Sequence, residues 1–439
     1  MDPEVRRKAD SQGGRERQLT SPAWHCWHGL CLHRVVPTTA LLYDPLVASY
    51  RANPYPMYAR FRSEAPIVYS SSGLQVLSRF ADVSKVLRSP DVSRDIDESA
   101  TDFTETERED REFRRRNRAA KSMLNLDAPD HTRLRGLVTK AFTPRAIAQL
   151  RPRIQQLVDD ALDPVTDSGR IELNEAMAFP LPFQVISDLL AMPTERADEL
   201  RDWSQAITLA VEPAATATEL AEAGEAVQHV IGFLVPVIED RRKNLGDDVL
   251  SALIAVEEAG ERLSLPELIS TVVLLYIAGH ETTVNLIGNG ALALAQNPAQ
   301  RELWRTTGEA LDGNAVDEML RYDGPVQQTI RVPLVDMEVS GGVLPAGRRV
   351  LTLLGAANRD GDVFESPDEL SLNRPGAARH MAFASGVHYC LGASLARLEA
   401  QVALGTMVRR FEHWDVIGTP EWRDRITIRG VAHLDLALS

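Results

Sequence analysis

The decapeptide FASGVHYCLG, Phe383 to Gly392, places one cysteine among two glycines and two aromatic rings, directly ahead of a long helical pattern. Cys390 is one of three cysteines in the chain, with Cys26 and Cys31. A thiolate is a strong axial ligand for haem iron, and the electron density it donates favours O–O cleavage over reversible oxygen binding. Such a sulfur needs backbone N–H donors and a helix N-terminus to keep it ionised. The glycine-containing loop and the following CLGASLARLEAQVAL are expected to supply both and so to lower the thiol's pKa. Leu391, Leu395, Leu398 and Val402 fall on that helix's apolar face. A lone cysteine without such neighbours reads as a small buried hydrophobe.

A second stretch, YIAGHETTVN, sits inside the longest helical pattern. Ser264 and Glu267 make a capping box with Pro266 in the first turn, and the spacing predicts a helix from there to the region before Pro298. At 1.5 Å per residue its roughly 30 residues would span ~45 Å. Its middle is a poor helix interior. Gly279 costs about 1 kcal/mol relative to alanine, Thr282 and Thr283 are stiff at χ1, and Glu281 brings a charge into an apolar run. Ala278, Thr282 and Asn285 share one face at i, i+4, i+7 spacing. Two compatible readings follow: a kink with threonines bonded back to carbonyls, or a widened groove that faces something reactive.

The elements that must hold these residues are mostly helical. YPMYARFRSE predicts a helix, and IVYSSSGLQVLSRF predicts a hairpin. Helical patterns run from His131 to about Asn297, and strand-like pieces return at TIRVPLV, RRVLTLL and DRITIRGVAHLDLAL. The charged tract at 90–125 lacks an apolar stripe and reads as a solvated flexible loop. With 439 residues, 44% of them hydrophobic, the chain can bury a large core. A net charge of -14 argues against a nucleic-acid binder. Three cysteines cannot form a disulfide framework at this size, which points to a reducing interior. TVVLLYIAG at 271–279 is too short to span a bilayer, and no signal peptide or anchor is read, so a soluble cytoplasmic protein is expected. Residues 1–40 read as a disordered leader. WHCWHGLCLHR within it gathers His25, Cys26, His28, Cys31 and His33, but the spacing matches no standard zinc finger.

F-x-x-G-x-H-x-C-x-G, here Phe383, Gly386, His388, Cys390 and Gly392, resembles the haem-binding signature of the cytochrome P450 monooxygenases. Four further elements occur in that family's order, so the resemblance covers about Leu41 to the C-terminus. AGHETT is similar to the oxygen-activating segment of the family's long helix, which implies Glu281 and Thr282 as an acid–alcohol pair and Ala278 and Gly279 against the cofactor. EMLR resembles the family's E-x-x-R element and implies that Glu318 and Arg321 cluster with a later arginine, Arg374. HTRLR and TIRV imply that His131, Arg135 and Arg331 meet the haem propionates. E-x-x-R alone says little, since Glu105/Arg108 and Glu302/Arg305 also satisfy it as surface pairs would. The cysteine decapeptide is far more specific. Ala384 departs from it, where many members have glycine.

The resemblance implies a mainly α fold with small β-sheets, a single domain over residues 41–439 with a long central helix over the haem. It implies haem b as cofactor and a monooxygenase that inserts one atom of O2 into an organic substrate. Little chain follows Phe411 and no G-x-G-x-x-G follows a strand, so electrons are expected from a separate ferredoxin fed by an NAD(P)H-dependent reductase. Arg133, Lys140, Arg145 and Arg397 are expected to form a basic patch that steers this donor. A peroxygenase, a non-catalytic haem-thiolate sensor and a helical interaction protein are the alternatives. The acid–alcohol pair argues against the first two, and Cys390 with the disrupted helix against the third. The substrate pocket is expected to draw on the 90–125 loop, the stretch at 195–225, Leu274, Ala278, GPVQQT and GVAH, which suits a hydrophobic molecule such as a lipid, steroid, terpenoid or polyketide. Removing residues 1–40 is expected to leave haem content and thermal stability nearly unchanged. Loss of haem from the truncated protein, measured by absorbance, would contradict that.

Overall fold

The long helix forms where its cap directs it. In the computed structural model, which describes residues 41–100, 121–213, 215–258 and 263–439, it runs from Leu265 to Gln296 without interruption, 32 residues in all. The expectations for residues 1–40, including Cys26 and Cys31, and for 101–120 lie outside the described residues. The Ser264 N–H donates to Glu267 Oε2 at 2.8 Å and the Glu267 N–H returns to Ser264 Oγ at 3.4 Å, so two otherwise orphaned donors are satisfied. From Thr283 to Leu294 every residue is buried, as in a helix enclosed on all sides by a large core. Helix Pro180–Leu190 packs on it from one direction, and helices Asp312–Asp323 and Ala393–Arg410 from others. Residues Leu41–Ser439 form one compact unit around this core.

Sheets are minor, as expected. The six-stranded sheet runs in the order Leu42–Tyr43, Ile67–Ser70, Gln75–Leu77, Val350–Leu353, Gln328–Pro333, Val92–Ser93. Its hairpin pairs Val68 with Val76, and helix Tyr55–Glu64 covers the expected segment. Two expectations fail locally. The start of the charged tract is ordered: Val92–Ser93 is an edge strand antiparallel to Val332 and Pro333, and Ile96–Glu98 forms a short helical turn. The segment DRITIRG is not a strand. Glu212 takes its amides instead, Oε2 accepting from Ile426 at 3.0 Å and Thr427 at 2.9 Å and Oε1 from Ile428 at 3.0 Å. Backbone donors satisfied by a carboxylate have no need of a neighbouring strand.

Among the described residues one helix, Ala217–Lys243, is long and apolar enough by length and composition to cross a membrane. Its buried residues Ala223, Ala226, Val230, Leu234 and Ile238 make a single stripe, and it lies against helix Ala197–Leu209. This is the pattern of an amphipathic helix packed on protein.

A buried ion cluster ties the central fold to the loop before Cys390. Arg321 reaches Glu318 through two parallel bonds, Nε to Oε2 at 2.7 Å and Nη2 to Oε1 at 2.9 Å, and Arg374 Nε lies 3.0 Å from both oxygens. Glu318 and Arg321 are fully buried. Arg321 also donates to the carbonyls of Asn358, Pro367 and Glu369, and Ser371 N–H donates to Glu318. A carboxylate buried between two guanidiniums is costly to remove, because both cations would be stranded without solvent. Glu318→Ala is expected to lose about 3–5 kcal/mol of stability, read by thermal denaturation. A change within about 0.5 kcal/mol, the usual range for a surface substitution, would contradict this account.

Candidate active site

The loop that carries Cys390 is shaped by two left-handed residues. Ala384 adopts φ +57° and Gly386 φ +74°. A Cβ on Gly386 would sit 2.3 Å from the Leu87 carbonyl oxygen, so this glycine is required by both φ and space. The Cys390 N–H then donates to the Phe383 carbonyl at 3.0 Å, which closes the loop, and helix Ala393–Arg410 begins just beyond Gly392. Cys390 is open to solvent on one side. The protein around it is nonetheless dense enough that desolvation pushes the thiol above its ordinary value, outweighing the Gly392 N–H and the charges of Arg135 and Arg397. The expectation of a lowered thiol pKa is therefore wrong for the protein alone. A metal ion held by this sulfur would favour its thiolate form.

The central helix opens along one strip. Ala278 is exposed and Leu274, Gly279 and Thr282 are partly so, in a helix whose following turns are wholly buried. Leu274, Ala278 and Thr282 recur every four residues and therefore line one groove. Thr282 Oγ1 donates back to the Ala278 carbonyl at 3.1 Å, yet the helix continues unbroken. Gly279 has a packing reason: a Cβ there would come 3.0 Å from Ile186 Cδ1. Asn285 is not in the groove. It and Asn289 are buried farther along the same face, where Asn289 accepts from the Val431 N–H at 3.3 Å and donates to the Arg429 carbonyl at 3.2 Å. The C-terminal loop thus closes the groove beyond Thr282. Glu281 is buried and ion-paired: its Oε1 accepts from Arg423 Nη1 at 3.1 Å and Arg425 Nη1 at 3.2 Å, while Oε2 is buried without a partner.

A third group gathers positive charge. The rings of His131 and His388 are 4.1 Å apart between centroids. Arg331 is buried, with Nη1 donating to Thr329 Oγ1 and the Ile330 carbonyl, each at 2.8 Å. Desolvation, helped by the charge of Arg94, pulls Arg331 well below the usual guanidinium range, and desolvation does the same to Arg94. Desolvation, then His131, Arg331 and Arg94, pull His388 down to about 3. The opposing anion is Asp127, 3.9 Å from His388 Nε2 and already bonded by Ser93 Oγ and the Arg94 N–H. His388 Nε2 is buried and has no hydrogen-bond partner. A buried set of donors so poorly balanced fits a ligand with two carboxylates, as haem has in its propionates. Arg135, whose charge also acts on His131, donates to the Tyr389 carbonyl at 2.6 Å, beside the sulfur.

Sequence reasoning missed Arg94, Arg423 and Arg425. Arg94 lies in a tract of alternating charges with no pattern to mark it, and the two later arginines meet Glu281 only through tertiary folding. Of the expected basic patch, Arg133 is ion-paired with Glu267 and Arg397 with Asp317, so these two charges are already compensated.

The family model described as Cytochrome P450 matches residues 85–305 and 311–424. The chain belongs to the cytochrome P450 family. It is 40% identical over 404 residues to cytochrome P450 107B1 of Saccharopolyspora erythraea, covering 90% of this chain and 96% of that one. It is 37% identical over 404 residues to the vitamin D(3) 25-hydroxylase of Pseudonocardia autotrophica, again covering 90% and 96%. Among solved structures, the myxobacterial cytochrome P450 CYP267B1 in complex with myristic acid is similar with a TM-score of 0.81 and 38% identity, covering 90% of this chain and 98% of that one. The fold is therefore the P450 fold, mainly α with small sheets, and the protein is a haem b monooxygenase.

The departure at Ala384 now has a measurable consequence. An L-residue in the left-handed region costs roughly 1–2 kcal/mol that glycine avoids, so Ala384→Gly in this P450 is expected to gain up to about 1 kcal/mol by denaturant titration. Gly386→Ala is expected to lose more than Ala384→Gly gains. A stabilised Gly386→Ala would refute the loop geometry.

Proposed function

We propose that this P450 inserts one oxygen atom of O2 into a hydrophobic small molecule, with Cys390 as the residue whose sulfur would hold the haem iron. The observation that supports it best is the joint presence of an open thiol and a buried cationic set with too little opposing charge. His131, His388, Arg331 and Arg94 would receive the propionates, and Arg135 would lie on the sulfur side. Phe383, Gly386 and Gly392 shape the loop that presents the sulfur. When bound, the haem supplies the redox chemistry that activates O2.

The chain's own residues then manage water and protons. Ala278 keeps the groove wall low, since a larger side chain there would fill it, and Gly279 lets the helix pack closely on Ile186 beside it. Thr282 turns its hydroxyl along this wall; the bond to the Ala278 carbonyl fixes its rotamer and leaves its oxygen able to order a water. Glu281 sits one residue away with its charge held by Arg423 and Arg425, and its unpartnered Oε2 is the atom suited to exchange protons with such a water. Glu318, Arg321 and Arg374 are structural and hold the approach to the Cys390 loop.

For the substrate, apolar Leu274 and Ala278 favour a hydrophobic molecule, and the names of the similar proteins mention vitamin D(3) and myristic acid. Electrons would come from a separate ferredoxin and its NAD(P)H-dependent reductase. Arg145, which is exposed, is better placed to steer that donor than the paired Arg133 and Arg397. A soluble, cytoplasmic protein accords with the amphipathic stripe on helix Ala217–Lys243.

Thr282→Ala tests the proton-handling role. As a helix residue alone, alanine should be neutral or mildly stabilising. As the residue that orders water, its loss should leave haem content and substrate-induced spectral shift intact, while product formed per NAD(P)H consumed falls about tenfold or more and hydrogen peroxide release rises. Wild-type coupling in that variant would remove Thr282 from the mechanism.

A further inference from the structure

Phe383 opens the Cys390 loop and is held from two sides. The Arg397 guanidinium lies 4.6 Å from its ring centroid, and the His380 ring centroid is 5.6 Å away. Both holders meet on one carboxylate oxygen: Asp317 Oδ1 accepts from Arg397 Nε at 2.7 Å and stands 3.3 Å from His380 Nε2. The Ala382 N–H donates to His380 Nδ1 at 3.1 Å, so the imidazole carries its proton on Nε2 and gives that bond to Asp317. Burial pushes His380 below its ordinary value and keeps it neutral at pH 7. The cluster therefore holds one fixed positive and one fixed negative charge. Arg397 Nη1 also donates to the Tyr389 hydroxyl at 3.2 Å, and Tyr389 immediately precedes Cys390.

We propose that Asp317, His380 and Arg397 are positioning residues that fix Phe383 against the Cys390 loop and, through the opposed charges of Arg397 and Asp317, set the one-electron reduction potential of the haem. This rests on Cys390 as the iron ligand. The sign follows from Coulomb's law: reduction of ferric to ferrous haem adds a negative charge, which a nearby cation favours and a nearby anion opposes. Asp317→Asn keeps an acceptor for both Arg397 and His380 and leaves the guanidinium uncompensated. Arg397→Gln leaves the carboxylate uncompensated. A purely structural clasp has no reason to answer these two changes in opposite directions.

The test is spectroelectrochemical titration of the holoenzyme with dithionite and mediators, with the reduced CO-bound spectrum recorded for each protein. The potential is expected to rise in Asp317→Asn, fall in Arg397→Gln, return between the two in the double variant, and stay near wild type in Arg397→Lys, which keeps the charge. Shifts of the same sign in both single variants, or an unchanged or lowered potential in the isosteric Asp317→Asn, would overturn the proposal while leaving the ligand assignment intact. Loss of the thiolate band in both single variants would show a brace without electrostatic tuning and would also overturn it. A wild-type protein without that band would fail the ligand assignment itself, and the proposal with it.

Discussion

Buried positive charge without enough opposing charge is the constraint around which this molecule is organised. His131, His388, Arg331 and Arg94 share one desolvated region, and Asp127 is the carboxylate that faces them. Arg331 and Arg94 are the charges there, each pulled below the usual guanidinium range by desolvation, and His131 and His388, held neutral by the same burial, add imidazole nitrogens that can donate. A protein does not keep such a region for stability. The arrangement makes sense as one half of an interface whose other half is an anionic ligand, and the P450 family supplies that ligand as haem b. The chain places the cations on separate elements, the helix Asp130–Ala141, the strand Gln328–Pro333, the loop before Cys390 and the start of the charged tract. Haem binding would therefore tie together four segments that are distant in sequence, and stability would be linked to cofactor occupancy.

The remaining architecture keeps the sulfur and the groove in register. The Glu318–Arg321–Arg374 cluster bonds to carbonyls at Asn358, Pro367, Glu365 and Glu369, the irregular stretch that leads into the Cys390 loop. An irregular segment has few backbone partners of its own, and buried guanidiniums with many donors can satisfy its carbonyls. On the other side, the C-terminal loop is bound by Glu212, Asn289 and Glu281, so the groove on the central helix has a fixed far wall. The groove exists because Ala278 and Thr282 forgo burial that a leucine would have provided.

What the sequence disclosed was local in character. Ser264 and Glu267 cap the helix because a capping box needs only residues three apart, and the decapeptide around Cys390 carries its own turn chemistry in Gly386. The pairing of Glu318 with Arg321 is likewise a matter of i, i+3 spacing, and Arg374 came from resemblance. What it hid was tertiary. Glu281 meets Arg425 across 144 positions of sequence, and Glu212 captures Ile426 across 214. No periodicity announces such contacts: helical spacing puts Asn285 on the face of Ala278 and Thr282, where the C-terminal loop buries it. The thiol is a related case: the glycines of the loop signal its N–H donors, whereas the surrounding density that desolvates it is tertiary and leaves no mark in the sequence.

The measurement that bears most directly on the account is the absorption spectrum of the reduced, CO-bound protein, taken for the wild type and for Cys390→Ser. Thiolate ligation by Cys390 requires a strongly red-shifted Soret band in the wild type and its loss in the variant, because a hydroxyl cannot supply the sulfur's electron donation. The cationic pocket formed by other residues should still let the variant take up some haem. A wild-type protein without the red-shifted band, or a Cys390→Ser protein that keeps it, would contradict the account at its centre.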